Sequence, residues 1–439
     1  MARRLFGTDG VRGVAGTDIT AALAHDLGRA AVLATARVAP RVLVVRDTRE
    51  SGEMLEAAIA EGLASAGAEV LLGGVLPTPA APLLVRRHGL DLAVVLSASH
   101  NVYSDNGIKF FGGDGFKLSD EAEQLIEARL DESAGGSGEQ IGRIRKLDDT
   151  AEDYLGELHR RFESLSLHGL DVLLDCANGA TYLVAPAIFE RLGASVSTVA
   201  AEPDGRNIND RCGSTHIERI AEQVVAAGHD IGFAFDGDGD RVLAVDRAGT
   251  IVDGDEMVML IAHYLLGKDR LPGRGVAITV MTNFAFVTAL RAAGIEVAST
   301  AVGDRYVLEE LRQRGWTLGG EQSGHIIELG FAPSGDGIAS ALLLLEALAG
   351  ADLDQRRRVR KLPQRLVNVP VRDRVAAQEA PAVREAIARE SGGLEGRGRV
   401  LVRPSGTEPL VRVMVEAPSA AEADEVCARL VAAVESAVG

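Results

Sequence analysis

The residues Asp236-Gly237-Asp238-Gly239-Asp240-Arg241 set three carboxylates at alternate positions, separated by glycines. Glycine lets the backbone turn sharply at little steric cost. The apolar runs on either side, Ile231–Phe235 and Val242–Val245, read as buried strands. The acids are therefore expected on a tight connection at a strand end, where like charges repel unless something neutralises them. A hard divalent cation does so through oxygen ligands, and Mg2+ keeps coordination positions open for water or phosphate. A calcium EF-hand would need glycine at the sixth position and glutamate at the twelfth, and here those are Arg241 and Arg247. A phosphatase using Asp236 as nucleophile would carry its motif on the first strand, whereas this one is mid-chain and continues into Asp240-Arg241. A metal-dependent sugar phosphatase and a plain solvated acidic turn remain as alternatives.

Three further segments could do chemistry. Ser97-Ala98-Ser99-His100-Asn101 follows the strand-like run Leu92–Leu96, with Lys109 shortly after it. A serine there is either a nucleophile or part of a hydroxyl-rich turn that binds phosphate; the protease-like pattern glycine-x-serine-x-glycine is absent from it. Gly320-Glu321-Gln322-Ser323-Gly324-His325 follows another short apolar run. Arg403-Pro404-Ser405-Gly406-Thr407-Glu408-Pro409 lies between two strands, with Arg412 beyond. Backbone amides at a glycine turn beside arginines make an anion nest.

The elements that must carry these segments repeat. Arg41–Val45, a helix over Glu53–Ala66 and Glu69–Leu72 form a strand-helix-strand unit. Asp171–Leu174, Val184–Leu192 and Ser195–Val199 form a second, and Val276–Val280, Phe284–Ala293 and Glu296–Thr300 a third. This is the right-handed crossover of parallel sheets, and ligand sites of such sheets gather at the carboxyl ends of strands. The expected fold is α/β, with three tandem similar α/β domains of mixed sheets around a central cleft and a smaller C-terminal α+β domain. The domains are expected over 1–150, 151–253, 254–364 and 365–439, with Gly135-Gly136-Ser137-Gly138 at the first boundary. The basic run Arg356–Lys361 reads as a solvated helix end closing the third domain. The last domain is expected to contain strands at Leu366–Val371, Arg399–Arg403 and Val411–Glu416 and helices at Ala380–Glu390 and Ala420–Val438.

The 439 residues carry a formal charge of -17, which argues against nucleic acid or an anionic membrane as partner. Cys176, Cys212 and Cys427 are odd in number and widely spaced, so no disulfide framework or zinc site is expected and a reducing cytoplasm is. No signal peptide or membrane span is expected.

The serine segment with Gly107-Ile108-Lys109, the acidic turn, Gly320–His325 and Arg403–Pro409 occur in the order seen in the α-D-phosphohexomutases, and the resemblance spans the chain. Phe6–Gly13 and Val302–Val307 resemble the amino-sugar branch of that family. The resemblance implies interconversion of glucosamine 6-phosphate and glucosamine 1-phosphate through a 1,6-bisphosphate, supplying amino-sugar and cell-wall precursors. Mannose or glucose phosphates are the alternative substrates. It implies that Ser99 is carried as phosphoserine, which with Asp236, Asp238 and Asp240 completes a site for one Mg2+. Arg12, Lys109, Arg241 and His325 are implied at the reacting phosphate, Lys109 and His325 as candidate proton acceptors. Glu321 and Ser323 are implied for the sugar hydroxyls, and Asp304 and Arg305 for the amino sugar. Arg403, Ser405, Gly406, Thr407 and Arg412 are implied for the phosphate that is not reacting. A glucosamine or glucose 1,6-bisphosphate as priming activator, a homodimer and a last domain hinged near Lys361–Leu366 complete the expectation. Val102 stands where the family usually has proline. Ser99 is expected to be exposed and outside the core.

Overall fold

Leu92–Leu96, Ile231–Phe235 and Gly275–Thr279 are buried at every position, the signature of strands covered on both faces. A computed structural model describes residues 5–7, 9–35, 37–130, 141–356, 359–405 and 408–438. The glycine-rich boundary at Gly135–Gly138 and, within the last domain's loop, Gly406 and Thr407 lie outside the described residues, as does part of the basic run Arg356–Lys361.

The first domain contains β1 (Val11–Val14), β2 (Arg41–Arg46), β3 (Glu69–Val75), β4 (Leu92–Leu96), β5 (Asp105–Gly112) and β6 (Arg143–Lys146), ordered β1-β5-β4-β2-β3-β6. The second contains β7 (Asp171–Asp175), β8 (Ser195–Val199), β9 (Ile231–Phe235), β10 (Val242–Asp246) and β11 (Ile251–Val252), ordered β11-β10-β9-β7-β8. The third contains β12 (Gly275–Thr279), β13 (Glu296–Thr300), β14 (Leu318–Gly320) and β15 (Ile326–Glu328), ordered β13-β12-β14-β15.

One arrangement recurs in all three. The first strand of each unit, β2, β7 or β12, pairs in parallel with its successor on one side and with β4, β9 or β14 on the other. The chain then reverses into an antiparallel neighbour, β5, β10 or β15. The serine loop, the acidic turn and the Gly320–His325 loop thus occupy the same place in three sheets, the reversal after the third strand. That place is the carboxyl end of a parallel strand, beside the switch in direction.

The helix Gly337–Leu348 joins the second and third domains. Its sequence is apolar nearly all round and it is buried on every face except at Glu346, as expected of a helix enclosed by other elements. Asp336 caps it, accepting from Ala339 N at 2.9 Å and from the Tyr154 hydroxyl at 2.9 Å. Gly337 N donates to Gly239 O at 3.0 Å, so the start of this helix lies against the acidic turn.

Thr282–Ile295 and the chain beyond Arg356 form a separate compact unit. It contains the antiparallel sheet β16 (Gln364–Pro370), β17 (Arg399–Pro404) and β18 (Leu410–Glu416), ordered β16-β18-β17. The helices Pro381–Gly393 and Ala420–Val438 pack with it around Val411, Val413, Val415, Leu430 and Val434. The helix Phe284–Ala292, which joins β12 to β13 in sequence, groups with this unit. The reason is Glu416, fully buried, which accepts from Phe284 N at 2.9 Å, Asn283 Nδ2 at 3.3 Å and Arg399 Nε at 2.8 Å.

Among the described residues no helix is long and apolar enough to cross a membrane. All three cysteines are buried and unpaired.

Candidate active site

The acidic turn connects β9 to β10, and all three of its carboxylates are buried. Its glycines are required by space and conformation. A Cβ on Gly237 would lie 2.6 Å from Asn209 Nδ2 and 2.7 Å from Ser99 O, and Gly239 has φ +72°. Asp236, Asp238 and Asp240 each offer an oxygen within 4.8 Å of the others.

Burial pushes the Asp236 carboxyl well above the usual range, with Asp240 and Asp238 adding to the shift. Burial opposes ionisation of Asp240 too, but His325, Lys109 and Arg241 outweigh it and hold that carboxyl well below its usual range. Asp238 Oδ1 and Asp240 Oδ1 are buried with no hydrogen-bond partner. Unsatisfied buried carboxylate oxygens are costly, and a cation between them would satisfy both. The turn therefore fits a small divalent ion.

Ser99 sits at the equivalent reversal after β4, with φ +53°. Its Oγ donates to Asp236 Oδ2 at 2.6 Å and lies 3.2 Å from His100 Nδ1. The expectation of an exposed serine is corrected, because Ser99 is 1% exposed. Asn209, from the second domain, donates to its carbonyl at 2.9 Å, and the acidic turn lies against its side chain. The His100 imidazole is lowered to about 4, first by burial and then by Arg241 and Arg12, so it is neutral beside Ser99.

Lys109 extends from β5 with its Nζ 2.9 Å from Asp238 Oδ2 and 3.1 Å from Asp9 Oδ2. Burial alone would lower its pKa, but Asp238 and Asp9 outweigh burial and raise it. When Asp238 carries no metal, Lys109 is thus held as a cation by the two carboxylates. Arg12 pairs with Asp9, and its Nη1 reaches Ala98 O at 3.4 Å. Arg241 N donates to Asp236 Oδ1 at 3.1 Å, and its Nε lies 3.7 Å from Asp240.

His325 lies between Asp240 (Nδ1 to Oδ2, 3.5 Å) and Asp304 (Nε2 to Oδ2, 3.8 Å). Burial lowers its affinity for a second proton, yet the Asp240 and Asp304 carboxylates outweigh burial and raise the pKa. In the neutral ring Nε2 accepts from Gly335 N at 3.2 Å.

A cavity of about 380 Å3 brings part of this set together; Ser99, Lys109, Asp236 and Asp238 do not line it. Asp9 and Arg12 enter it from the first domain, Asp240 and Arg241 from the second, and Asp304, Glu321 and His325 from the third. Two larger hollows, of about 470 and 520 Å3, lie elsewhere. Neither is lined by any residue of the acidic turn, so chemistry and not size identifies the site. Glu321 Oε1 accepts from Gly303 N at 2.9 Å, and Ser323 is half-buried on the same loop. Asp304 starts the helix Asp304–Arg314 and is bonded to the half-buried Lys117, which also bonds Asp9. Arg305 takes a different direction, pairing with Asp120 and with Glu123 at 3.2 Å.

In the separate unit, Arg403 of β17 faces Arg412 of β18 directly across the sheet. The Arg403 guanidinium is lowered from its ordinary value by burial and then by Arg412. Ser405 N donates to Leu410 O at 2.9 Å, and the Ser405 hydroxyl accepts from Glu408 N at 3.3 Å. Arg412 Nη2 donates to Glu408 at 3.3 Å, and its Nε is buried without a hydrogen-bond partner.

Sequence reasoning did not single out Asp9, Lys117, Thr78, Asn209 or Arg49 as site residues. Thr78 Oγ1 donates to Asp238 Oδ2 at 2.7 Å. Asp9 lies inside the quoted segment Phe6–Gly13, and Arg49 follows the polar end of β2; those were the available signals.

Three α/β domains with one active loop each, converging on an acidic turn and a serine, define a class. Residues 3–135, 152–249, 253–366 and 366–433 match the models for phosphoglucomutase/phosphomannomutase α/β/α domains I, II and III and the C-terminal domain. The chain belongs to the phosphoglucomutase/phosphomannomutase family and is a mutase, an isomerase. Within that family it is similar to the phosphoglucosamine mutase of Pelotomaculum thermopropionicum. The two are 50% identical over 436 residues, covering 97% of this chain and 98% of that protein. A phosphoglucomutase/phosphomannomutase family protein from Burkholderia thailandensis has a solved structure of the same fold. Its TM-score is 0.82 at 25% identity, over 98% of this chain and 97% of that one. The N-acetylphosphoglucosamine mutase of Aspergillus fumigatus, solved with GlcNAc-6P and magnesium, shares the fold at TM-score 0.70 and 18% identity, over 99% of this chain and 96% of that one.

Proposed function

We propose that the protein interconverts glucosamine 6-phosphate and glucosamine 1-phosphate through a phosphorylated Ser99 and a 1,6-bisphosphate, in the cytoplasm, for amino-sugar and peptidoglycan-precursor synthesis. The observation that carries the reading is the 2.6 Å contact between Ser99 Oγ and Asp236, inside a trio of buried carboxylates. Half identity to a phosphoglucosamine mutase supports the choice of sugar, and the magnesium in the Aspergillus complex supports the choice of ion.

Asp236, Asp238 and Asp240 would hold one Mg2+, with an oxygen of the Ser99 phosphate as a further ligand. Bound there, the ion supplies charge neutralisation and polarises a phosphoryl oxygen. The rest falls to the chain. The Lys109 ammonium and the Arg12 and Arg241 guanidiniums stabilise charge on the phosphoryl oxygens as it moves. In the first transfer the phosphorus–Oγ bond of phosphoserine breaks and a bond to the substrate hydroxyl forms. That hydroxyl gives up its proton to Lys109 or His325, the two candidate acceptors; at His325 the accepting Nε2 would first release Gly335 N. The second transfer reverses this with the other phosphate of the bisphosphate, which returns to Ser99. Glu321 and Ser323 orient the sugar hydroxyls, and the carboxylate of Asp304 faces the cavity for the amino sugar. Arg403, Ser405, Gly406, Thr407 and Arg412 grip the phosphate at rest, and either monophosphate must fit them. Glucosamine or glucose 1,6-bisphosphate primes the serine, and the working form is a homodimer. Asp236 is a poor phosphatase nucleophile, since the Ser99 hydroxyl occupies its Oδ2.

The deciding experiment compares kcat/KM on the 1-phosphates of glucosamine, glucose and mannose. Glucosamine is expected to lead by at least about tenfold, a difference of roughly 1.4 kcal/mol in transition-state binding. A higher efficiency on glucose or mannose phosphate would overturn the assignment of the sugar.

A further inference from the structure

The Ser99 loop is held from beneath by a side chain that touches no reacting atom. Arg49, just past the end of β2, is 1% exposed and among the largest side chains fully enclosed by the protein. Its guanidinium has five N–H donors in a rigid plane, and each has an acceptor. Nε donates to Asp47 Oδ2 at 2.8 Å. Nη1 donates to Val102 O and, at 3.0 Å, to Asp105 O. Nη2 donates to Ser99 O and Asn101 O, both at 2.9 Å.

An ion pair with Asp47 needs only the Nε edge; the other four hydrogens go to carbonyls of the loop that carries the serine. Asp47 extends the grip, since its Oδ2 also accepts from Ser97 Oγ at 2.6 Å, and Ser97 Oγ in turn accepts from Ser99 N at 2.9 Å. From the second domain Asn209 Nδ2 donates to the same two carbonyls, Ser99 O and Asn101 O, at 2.9 Å each.

Both backbone groups of Ser99 are therefore held, and the residue they hold has φ +53°. A non-glycine residue adopts that left-handed conformation only when its surroundings over-determine it. The direction of Oγ towards Asp236 depends on it. We propose that Arg49 is a positioning residue for phosphoryl transfer, a five-point clamp that keeps Ser99 in the left-handed conformation from which Oγ meets the acidic turn. This rests on the phosphoserine reading given above and adds a residue to it. Without the clamp Ser99 relaxes to ordinary backbone angles and its phosphate leaves the cationic groups. Water then competes: the phosphorus–Oγ bond breaks, water supplies the new oxygen on phosphorus and the proton on Oγ, and inorganic phosphate departs.

The test uses the full-length enzyme, loaded with glucose 1,6-bisphosphate and followed by intact mass and by steady-state kinetics. Arg49→Lys keeps the charge beside Asp47 but brings at most three donors to five acceptors. Its kcat is expected to fall about 100-fold, the scale of a 1 Å misplacement, with KM within about threefold of wild type. The half-life of phosphate on Ser99 should shorten by about tenfold or more. Asn209→Asp is the second variant. It keeps the side-chain shape and tolerates φ +57°, but it turns the donor facing two carbonyls into an acceptor. It should shift kcat and phosphoserine lifetime in the same direction, and it decides the matter alone if Arg49→Lys does not fold. A merely structural role would lower Tm and leave both readouts of the folded variant at wild-type values, and that result would overturn the clamp. Wild-type protein that never carries phosphate on Ser99 would instead overturn the parent reading, and the clamp's kinetic role with it.

Discussion

The acidic turn and the arginine-bearing hairpin of the last domain are electrostatic opposites. In the turn, three buried carboxylates crowd one another, and Asp238 Oδ1 and Asp240 Oδ1 have no hydrogen-bond partner. In the hairpin, Arg403 and Arg412 face each other across β17 and β18, where like charges are destabilising. Each region sets like charges side by side, and a counter-ion would relieve them, a cation in one and, beside the Glu408 that already pairs with Arg412, an anion in the other. They differ in enclosure. The carboxylates are fully buried in a six-residue turn between two buried strands, whereas the arginines lie half-buried on a three-stranded sheet. The difference suits their proposed tasks: a metal ion stays in place through turnover, while a substrate phosphate must enter, exchange and leave.

Removing the partner of the acidic turn tests the enclosed half most severely. Ser99→Ala should reduce mutase turnover by roughly 10⁶-fold, the scale of losing a covalent nucleophile. Appreciable turnover by a pure preparation would end the covalent account. Because Ser99 is buried and its hydroxyl bonds Asp236, the variant should also lose about 1–3 kcal/mol of stability without ligands. That cost would not arise at the exposed position expected from sequence.

The open half is tested by Arg403→Ala. Losing a charge-assisted contact to phosphate costs about 1.5–3 kcal/mol, so the dissociation constants of both monophosphates should rise about 10- to 100-fold by calorimetry. If only one isomer loses affinity, the two phosphates do not share the hairpin.

The smallest expected effect sharpens the charge balance in the turn. Without metal, the His325 imidazolium is stabilised by Asp240 and Asp304, so its pKa is raised above 6.5. The favourable contribution is present in full below about 6.5, the value in an unfolded chain, and is lost as pH rises through the folded value. Mg2+ held by Asp240 repels the ring's charge, so adding it should move the NMR titration midpoint of His325 down. Chelation should move it back, and an unchanged midpoint would place the ion away from Asp240.

Much of the fold was legible in the chain because its central strands are buried on both faces. Continuous apolar runs bounded by turn residues mark Leu92–Leu96 and Ile231–Phe235, while the largely exposed edge strands Ser195–Val199 and Glu296–Thr300 were read from the repeated strand-helix-strand unit; the structure has all four with those bounds. The helix Gly337–Leu348 was not expected, because burial on nearly all faces leaves no periodicity to read. The grouping of Phe284–Ala292 with the last domain was equally hidden, since it depends on Glu416, more than 130 residues away. At the site, the order of the motifs pointed to the phosphohexomutases, and the family models and the relatives bear that out.

What the amino-acid order alone determined was local: which strands are enclosed, where glycine permits a turn, and which loops carry carboxylate, hydroxyl or guanidinium. Only the tertiary structure decided that Ser99 is enclosed, that Lys117 joins Asp9 to Asp304, and that Arg49 holds the serine loop at four carbonyls. Backbone preference is set by a residue and its near neighbours, whereas burial, charge pairing and hydrogen-bond satisfaction belong to groups that meet only when distant segments pack.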